Sequence, residues 1–428
     1  MKAYLKKIET LEQLDIFLKE ENRIVIYGIG EYGQCLVDYV KSWNKNVHIQ
    51  GIVVTDTKHA IKEYKGIKVN DVDQFLKKCK EVSVIIAISS LLHAQLSEIV
   101  EKYTQDYVCV TDRLFYRMNT KIEKKFMPIK KIDFCFAGFP KCGTTSIYGE
   151  LLEQDSVYLP DGKATQFFNW YKKMVNPESF LEKKYFSGVK EKQVVGMIEA
   201  FFFKYPKEVK QLLGDEVKIV FVLRNPIKAI FSLFKMQTRT GGYGEVLEEL
   251  YDKRYSCEDM FTDYLNKISS KQLLTPMHYF FWIEQFYKIY SKEQIKIIFF
   301  EELINNPKSV MNEVFSFVGI INEYNNDNLM HWNRGDYAMA EKEGYLLGRE
   351  KRMVSRDICT TNDINERAML ERKILRIDEK YNDIPKVYGL QMTEYQKEIA
   401  KKIFDEDVRE LTKIVDVDLL SLWEWNEG

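Results

Sequence analysis

Short apolar runs separated by amphipathic stretches organise the N-terminal part of the chain. A run that is continuously apolar, rather than alternating, indicates a strand buried on both faces of a parallel sheet. The runs at this end that predict strands are Arg23–Tyr27, Ile49–Val54, Val84–Ser89 and Tyr107–Val110. Helical periodicity lies between them, and residues 1–21 have the pattern of an amphipathic helix. The pattern predicts a small Rossmann-like α/β domain over residues 1–116.

The first strand of this domain is followed by a glycine-rich turn. Gly28, Gly30 and Gly33 have the spacing of a dinucleotide-binding loop, and Asp56 follows the next strand, where an acid could accept a ribose hydroxyl. One interpretation is a nucleotide or nucleotide-sugar site at these four residues. The other, which we favour, is a docking or structural module, since this fold does not by itself imply a ligand.

A second apolar pattern begins after a polar, basic stretch that we interpret as a linker at 117–131. Strands are predicted at Ile132–Phe136, Val194–Ile198 and Lys218–Leu223, and a helix at Ser146–Gln154. The expected fold of residues 132–428 is α/β, with a mainly parallel sheet flanked by helices.

The turn between the first of these strands and its helix has glycines at 138 and 143. Two glycines five residues apart, between a strand and a helix, suit a phosphate-binding loop. The residues after the second glycine are Thr144 and Thr145, and the lysine stands earlier, at Lys141. Such a loop can hold a terminal phosphate but lacks the usual lysine of a nucleotide triphosphate loop.

This turn resembles the 5′-phosphosulfate loop of the sulfotransferases that use 3′-phosphoadenosine 5′-phosphosulfate (PAPS). The strand Lys218–Leu223 ends at Arg224-Asn225-Pro226, and Ser232 follows eight residues after the arginine, as in that family. The segments 295–307 and 404–423 resemble the family's late strand and its C-terminal helix with a closing tryptophan, so the resemblance covers roughly residues 130–428.

The resemblance implies a set of residues that bind the donor. Arg224 and Ser232 are expected on its 3′-phosphate, and a late basic loop is expected to close over it, with Asn333–Gly335 as an alternative place for that loop. The phosphosulfate residues are Gly138, Pro140, Lys141, Cys142, Gly143, Thr144, Thr145 and Ser146, and the late basic residues are Gly348, Arg349 and Lys351. Lys141 is expected at the leaving oxygen, and no metal is expected.

The general base is where the chain departs from the family. The related glycan sulfotransferases have a lysine–glutamate pair before two aromatic residues, and here the pair is Lys163 and Ala164. Three interpretations are open. Glutamate was replaced by Ala164 in this chain, another residue serves as the base, or the protein binds PAPS without efficient turnover. The family-like residues around position 164 favour the first interpretation. If another base serves, the candidates are Glu199 and His278, while Lys163 is expected to orient acceptor or sulfate.

Composition narrows the setting of this chemistry. The 428 residues carry a net charge of −1, which does not favour nucleic acid as a partner, and no apolar run is long enough to span a membrane. Seven cysteines without paired spacing indicate reduced thiols. We expect a cytoplasmic, bacterial sulfotransferase that acts on a small-molecule or glycan hydroxyl. The alternatives are a PAPS-binding scaffold with impaired catalysis and a Mg²⁺-dependent P-loop kinase that uses ATP.

Overall fold

The computed structural model describes residues 6–426 except 22, 44–45, 59, 80–81, 120, 122–127, 130–131, 172–176, 243–244, 252–255, 330–336 and 362–363. It has two compact units, one of Met1–Lys124 with Ser269–Leu274 and one of Lys125–Ile268 with Thr275–Gly428. Much of the predicted linker at 117–131 lies outside the described residues, and residues 117–119 belong to the last helix of the first unit.

The first unit is a Rossmann-like sheet with helices. Its strands are β1 (Lys7–Ile8), β2 (Arg23–Tyr27), β3 (His48–Val54), β4 (Glu63–Tyr64), β5 (Ile67–Asp71), β6 (Ser83–Ile86) and β7 (Tyr107–Val110), and its helices are α1 (Leu11–Glu20), α2 (Glu31–Trp43), α3 (Val72–Leu76), α4 (His93–Val100) and α5 (Asp112–Asn119). The strand order is β1-β7-β6-β2-β3-β5-β4, parallel except for the β4–β5 pair.

Alternate residues of β2 enter two separate cores of this unit. Ile24 and Ile26 pack in one apolar cluster, and Val25 and Tyr27 in another. A strand buried on both faces must be apolar throughout, which is why the continuous run predicted it. Two details differ from the sequence prediction. The N-terminal segment is a short strand followed by α1 rather than one helix, because Thr10 caps α1 with a capping box. The strand expected at Val84–Ser89 ends at Ile86.

The second unit has a five-stranded parallel sheet of order β12-β11-β8-β10-β9 and a separate antiparallel pair, β13–β14. Its strands are β8 (Phe134–Gly138), β9 (Val157–Tyr158), β10 (Val194–Ile198), β11 (Lys218–Leu223), β12 (Ile295–Phe299), β13 (Tyr337–Met339) and β14 (Lys386–Tyr388). The fold class expected from the sequence is confirmed.

Fourteen helices of the described chain complete this unit. They are α6 (Thr144–Leu152), α7 (Phe167–Trp170), α8 (Pro177–Tyr185), α9 (Pro206–Leu213), α10 (Pro226–Thr240), α11 (Glu245–Tyr251), α12 (Cys257–Ser270), α13 (Tyr279–Tyr287), α14 (Phe300–Asn305), α15 (Pro307–Val318), α16 (Lys342–Thr360), α17 (Ile364–Asp383), α18 (Glu394–Thr412) and α19 (Leu419–Leu422). Because β8, β10, β11 and β12 are parallel, the segments that follow them emerge at one edge of the sheet.

Candidate anion-binding active site

A cavity of about 950 Å³ opens at this carboxyl edge. Residues that follow four successive strands of the sheet line it: Pro140 after β8, Phe201 after β10, Arg224 after β11 and Phe300 after β12. Ligands of open parallel sheets bind at this edge, because the strand ends and the N-termini of the following helices meet there.

The glycine loop after β8 forms the floor of the cavity. Gly143 has φ +90°, and a Cβ at this position would lie 2.6 Å from Cδ2 of Phe300, so the loop needs glycine for both conformation and space. Thr144 begins α6, whose first N–H groups have no partner within the helix. Lys163 donates hydrogen bonds from Nζ to the hydroxyls of Thr144 (2.8 Å) and Thr145 (2.6 Å).

Two lysines of this floor are desolvated cations. The pKa of Lys141 is lowered to about 8, mainly by burial and then by the charges of Arg239, Arg224 and Lys235 in that order. Burial also lowers the pKa of Lys163 to about 8, with Lys141 as the next cause. A bound anion would relieve both effects, since it replaces lost solvation and offsets the repulsion between cations.

Arg224 joins the loop to the strand beside it. Its Nη1 donates to the carbonyl oxygen of Lys141 at 3.1 Å, its guanidinium lies over the ring of Phe300 at 4.6 Å, and its Nε is buried without a partner among the described residues. A buried guanidinium N–H without a partner is costly unless a ligand accepts from it.

Asn225 and Pro226 explain why α10 starts directly after Arg224. The Asn225 side chain caps the helix by accepting from the N–H groups of residues 227 and 228, and Pro226 occupies the first helical position. Asn225 Nδ2 donates to the carbonyl oxygen of Trp423, and the Trp423 indole donates to Glu301. The tail segments that resembled the family therefore support the start of α10.

One face of α10 runs along the cavity. Lys228, Ser232, Lys235 and Arg239 all line it, at spacings of four, seven and eleven residues from the first. These spacings place side chains on one side of a helix. Arg239 Nε is buried without a partner among the described residues, and its guanidinium lies over the ring of Tyr337 at 4.9 Å.

The late basic segment belongs to a helix and not to the expected loop. It lies in α16, which crosses α10 so closely that a Cβ on Gly348 would come within 2.0 Å of the carbonyl oxygen of Arg239. Gly348, Lys351 and Arg352 line the cavity, whereas Arg349 is not among its lining residues. The alternative segment, Asn333–Gly335, lies outside the described residues.

The charge of the cavity wall is one-sided. Eight cationic side chains line its described part, and no Asp or Glu does so. The eight are Lys141, Lys163, Arg224, Lys228, Lys235, Arg239, Lys351 and Arg352. Lys351 is ion-paired with Asp378. Since the whole chain has nearly equal numbers of acidic and basic residues, this segregation of charge indicates a site for a polyanion.

The expected base position is occupied by Ala164, between Lys163 and Gln166, which both line the cavity. Glu199 and His278 do not line it. The Glu199 carboxylate accepts from the N–H and the hydroxyl of Thr165, and from the N–H of Gln166 at 3.3 Å. Burial raises the pKa of Glu199 to about 7.

His278 is buried and does not line the cavity. Its Nδ1 accepts from the Thr275 N–H at 3.0 Å, and its ring packs edge-on to Phe404. The structure thus brings neither Glu199 nor His278 into the cavity wall, and both have structural contacts.

Two loop residues support the site from behind. Cys142 is buried, with Sγ 3.4 Å from the hydroxyl of Tyr279, and burial raises its thiol pKa to about 12, so it is not a reactive thiolate. A Cβ on Gly138 would lie 3.1 Å from the ring of Phe203. Both are packing positions beneath the residues that face the cavity.

The N-terminal glycine loop has a different surrounding. Gly28 has φ +107°, and a Cβ on Gly33 would lie 2.1 Å from the Gly28 carbonyl oxygen, so the turn needs both glycines. Nothing lies within 4 Å of a Cβ on Gly30. Asp56 accepts from the Lys58 N–H within its own turn. Asp112 accepts from the Tyr32 hydroxyl at 2.8 Å.

A smaller cavity of about 620 Å³ lies at the opposite edge of the second sheet, beside Asp133 before β8 and Val194 at the start of β10. Its wall is largely aliphatic, and it has no cluster of reactive groups.

In the described chain no helix is both long and apolar enough to cross a membrane, and no group of three acidic, histidine or cysteine side chains is arranged to hold a metal ion.

Sequence reasoning missed part of the cavity wall. Among the residues that it missed are Lys228, Lys235, Arg239, Phe300, Tyr337 and Tyr381. The helical spacing of the first three with Ser232 was a readable signal, because a basic stripe beside a known ligand residue extends the site. The positions of the other three depend on tertiary packing.

Comparison with known proteins agrees with this geometry. Residues 131–336 match the family model described as the sulfotransferase domain. A search of curated proteins finds no match. Among solved structures, a sulfotransferase from Alicyclobacillus acidocaldarius is similar at 18% identity and a TM-score of 0.43, covering 69% of this chain and 99% of that one. Mouse sulfotransferase SULT7A1 complexed with PAP is similar at 13% identity and a TM-score of 0.36, covering 70% and 90%. With TM-scores below 0.5, these structures add nothing to what the family match shows.

Proposed function

We propose, on the premise that residues 131–336 are a sulfotransferase domain, that this chain transfers a sulfuryl group from PAPS to a hydroxyl of a saccharide or a glycosylated metabolite. The observation that carries the proposal is the described cavity wall, which has eight cations and no carboxylate around a glycine loop at a helix N-terminus. We further propose that the enzyme works in a bacterial cytoplasm, since its seven cysteines show no paired spacing.

The residues present fit a donor with two anionic ends. The loop from Pro140 to Ser146, with Lys141, would hold the 5′-phosphosulfate, and Arg224 with Ser232 would hold the 3′-phosphate. The unpartnered Nε of Arg224 is a donor that such a phosphate would satisfy. Carboxylates are the usual protein ligands of Mg²⁺ in kinases, and their absence from the described wall favours this donor over ATP with Mg²⁺.

Sulfuryl transfer forms a bond from the acceptor oxygen to sulfur while the bond from sulfur to the phosphate oxygen breaks. In this proposal Lys141 stabilises the charge that develops on the departing phosphate, and the hydroxyls of Thr144 and Thr145, which accept from Lys163, are further donors. The acceptor hydroxyl must also lose its proton, and no carboxylate or imidazole of the described cavity wall can take it.

Calorimetry with 3′,5′-adenosine bisphosphate (PAP), AMP and ATP tests the proposal, each with EDTA and with Mg²⁺. We expect binding of PAP that is independent of metal and that weakens strongly when the 3′-phosphate is absent, as in AMP. Preference for ATP with Mg²⁺, or no binding of PAP, would contradict it.

A second function, PAPS binding without efficient turnover, is favoured by Ala164 and by the absence of an acid or imidazole from the described wall. Transfer of labelled sulfate to an acceptor panel by the wild type and by Ala164→Glu separates the two. Activity gained only by Ala164→Glu indicates a protein that has lost its base. Activity of the wild type indicates another base, and we then expect Glu199→Gln to disturb stability more than the rate, because Glu199 holds the 165–166 backbone.

A further inference from the structure

Gln166 has a strained backbone at the edge of the cavity. Its φ of +54° and ψ of +32° are left-handed, which is unfavourable for a residue that carries a side chain. Lys141, with φ +68°, is the other residue of the described cavity wall, glycines apart, that has a positive φ. Strain of this kind persists where surrounding contacts enforce it, and it is concentrated at functional sites. Both strained residues belong to the same cavity.

A buried carboxylate enforces the conformation of Gln166. Glu199, which follows β10 and is 3% exposed, accepts from the N–H groups of Thr165 and Gln166 and from the Thr165 hydroxyl. The neighbours on both sides, Thr165 and Phe167, are buried, whereas Gln166 is exposed and lines the cavity. The left-handed turn therefore buries both neighbours and leaves the Gln166 side chain at the cavity.

The order of strands in the sheet separates two sides of the glycine loop. β8, which precedes the loop, lies between β11 and β10. Arg224 and Ser232, which would hold the 3′-phosphate, follow β11, so the nucleotide would extend to that side. Glu199 fixes Gln166 at the end of β10, on the other side of the loop. A donor bound in this way leaves the β10 side of the cavity for the acceptor.

Gln166 is also held close to the glycine loop. Lys163, three residues earlier, donates to the hydroxyls of Thr144 and Thr145. Three residues of chain span at most about 11 Å, so Gln166 lies near the residues that would hold the sulfuryl group. Its uncharged carboxamide both donates and accepts hydrogen bonds, as a hydroxyl does. It therefore suits a hydroxyl, while phosphate groups are bound more strongly by cations.

We propose that Gln166 binds the acceptor, and that its carboxamide hydrogen-bonds a hydroxyl of the saccharide next to the one that is sulfated. The inference rests on the proposed function, since it assumes that the donor occupies the glycine loop and the β11 side of the cavity. It makes Gln166 a determinant of acceptor choice. It predicts that a saccharide is a better acceptor than its analogue without that neighbouring hydroxyl.

Two variants separate the side chain of Gln166 from its backbone strain. Gln166→Ala removes the carboxamide and keeps the strain, whereas Gln166→Gly removes both. Because glycine adopts a positive φ freely, Gln166→Gly should unfold at a higher denaturant concentration than Gln166→Ala. Both variants should lose at least tenfold in kcat/KM for the acceptor, and the PAP affinity of both should change less than threefold.

The measurement is transfer of labelled sulfate from PAPS to a panel of methyl glycosides and disaccharides, each with its monodeoxy analogues. The parent protein is the wild type, or Ala164→Glu if only that variant turns over. We expect the parent to prefer at least one saccharide to a monodeoxy analogue by tenfold or more, and both Gln166 variants to lose that preference.

A second glutamine with a positive φ provides the matched control. Gln272 has φ +51° and does not line the cavity. Gln272→Gly should therefore leave both sulfate transfer and PAP affinity unchanged. A loss of transfer that is confined to position 166 then reports on the cavity and not on the substitution of a left-handed glutamine as such.

Three outcomes would overturn the inference while the parent still transfers sulfate. They are undiminished transfer in Gln166→Ala, a loss of PAP affinity that matches the loss of transfer, and a parent that does not distinguish any saccharide from its monodeoxy analogues. The second would make Gln166 a donor ligand. If PAP binds but neither the wild type nor Ala164→Glu sulfates any member of the panel, the proposed transfer to a saccharide fails, and this inference fails with it.

Discussion

The chain contains two glycine loops, and a cavity lined by eight cations is described at the second. Each loop follows a buried parallel strand and precedes a helix, and Gly28 and Gly143 have the positive φ that these turns require. Beside the N-terminal loop, Asp112 accepts hydrogen bonds from Tyr32 and from the N–H and hydroxyl of Ser90. A carboxylate that already occupies these donors repels a phosphate. The comparison teaches that a glycine motif specifies a turn, while the charges around it specify a ligand.

The largest expected effect on PAP affinity comes from adding one methyl group to the second glycine loop. Gly143→Ala must adopt a positive φ and contact Phe300, so we expect PAP affinity to fall by about 100-fold or more, because the loop has to move to relieve the strain. Gly30→Ala is the matched control, since nothing lies within 4 Å of its Cβ. Calorimetry with PAP checks both. Similar affinities in the two variants would mean that the second loop does not bind the donor.

Arg224→Ala sharpens the comparison by removing a cation and leaving the loop intact. We expect PAP affinity to fall by about 10- to 100-fold, as for loss of charged hydrogen bonds, and AMP affinity to change little. The measurement is the ratio of PAP to AMP affinity in the variant and in the wild type. A uniform loss for both ligands would show that Arg224 only supports the loop through its bond to Lys141.

The pH dependence of binding should show the desolvated lysines. In the free protein the pKa values of Lys141 and Lys163 are lowered to about 8, so both lose protons as the pH rises through 8. A bound anion favours the charged form and raises these pKa values, so PAP binding near pH 8–9 should take up protons, and affinity should fall as pH increases further.

Calorimetry in two buffers of different ionisation enthalpy measures this proton uptake. Lys163→Gln should reduce it, and Lys288→Gln, at an exposed position directly after α13, should not. Uptake that is independent of pH would contradict the assignment.

The smallest effect on donor binding is expected from the first unit. Asp112→Ala removes three hydrogen bonds, so local unfolding of this unit should become easier by about 1–3 kcal/mol. PAP affinity should stay unchanged. Hydrogen exchange of β7 measures the stability, and calorimetry checks the affinity. A change in PAP affinity would connect the two units in a way that the comparison does not anticipate.

The sequence was sufficient for most of the long parallel strands, although β8, predicted at Ile132–Phe136, is observed at Phe134–Gly138. Lys218–Leu223 and Val194–Ile198 were predicted with the observed bounds, because continuous apolar runs have few other uses in a soluble fold. Lys141 and Arg224 were found since they follow strands within recognisable motifs. These are short-range signals.

What depended on packing could not be predicted in the same way. The basic segment at Gly348 was expected in a loop, whereas it is a helix whose glycine permits a close crossing with α10. The position of Arg239 along the cavity depends on that crossing and on Tyr337. Contacts between residues a hundred positions apart leave no local pattern in the sequence.

The contact of Asn225 with Trp423 also orders events in time. Asn225 Nδ2 donates to the backbone carbonyl oxygen of Trp423, 198 positions away, and the Trp423 indole donates to Glu301. During synthesis, the sheet and the loop emerge long before this tryptophan, so a nascent chain has its nucleotide loop before it has the support for α10. A chain that ends before residue 423 would therefore lack this support for the start of α10.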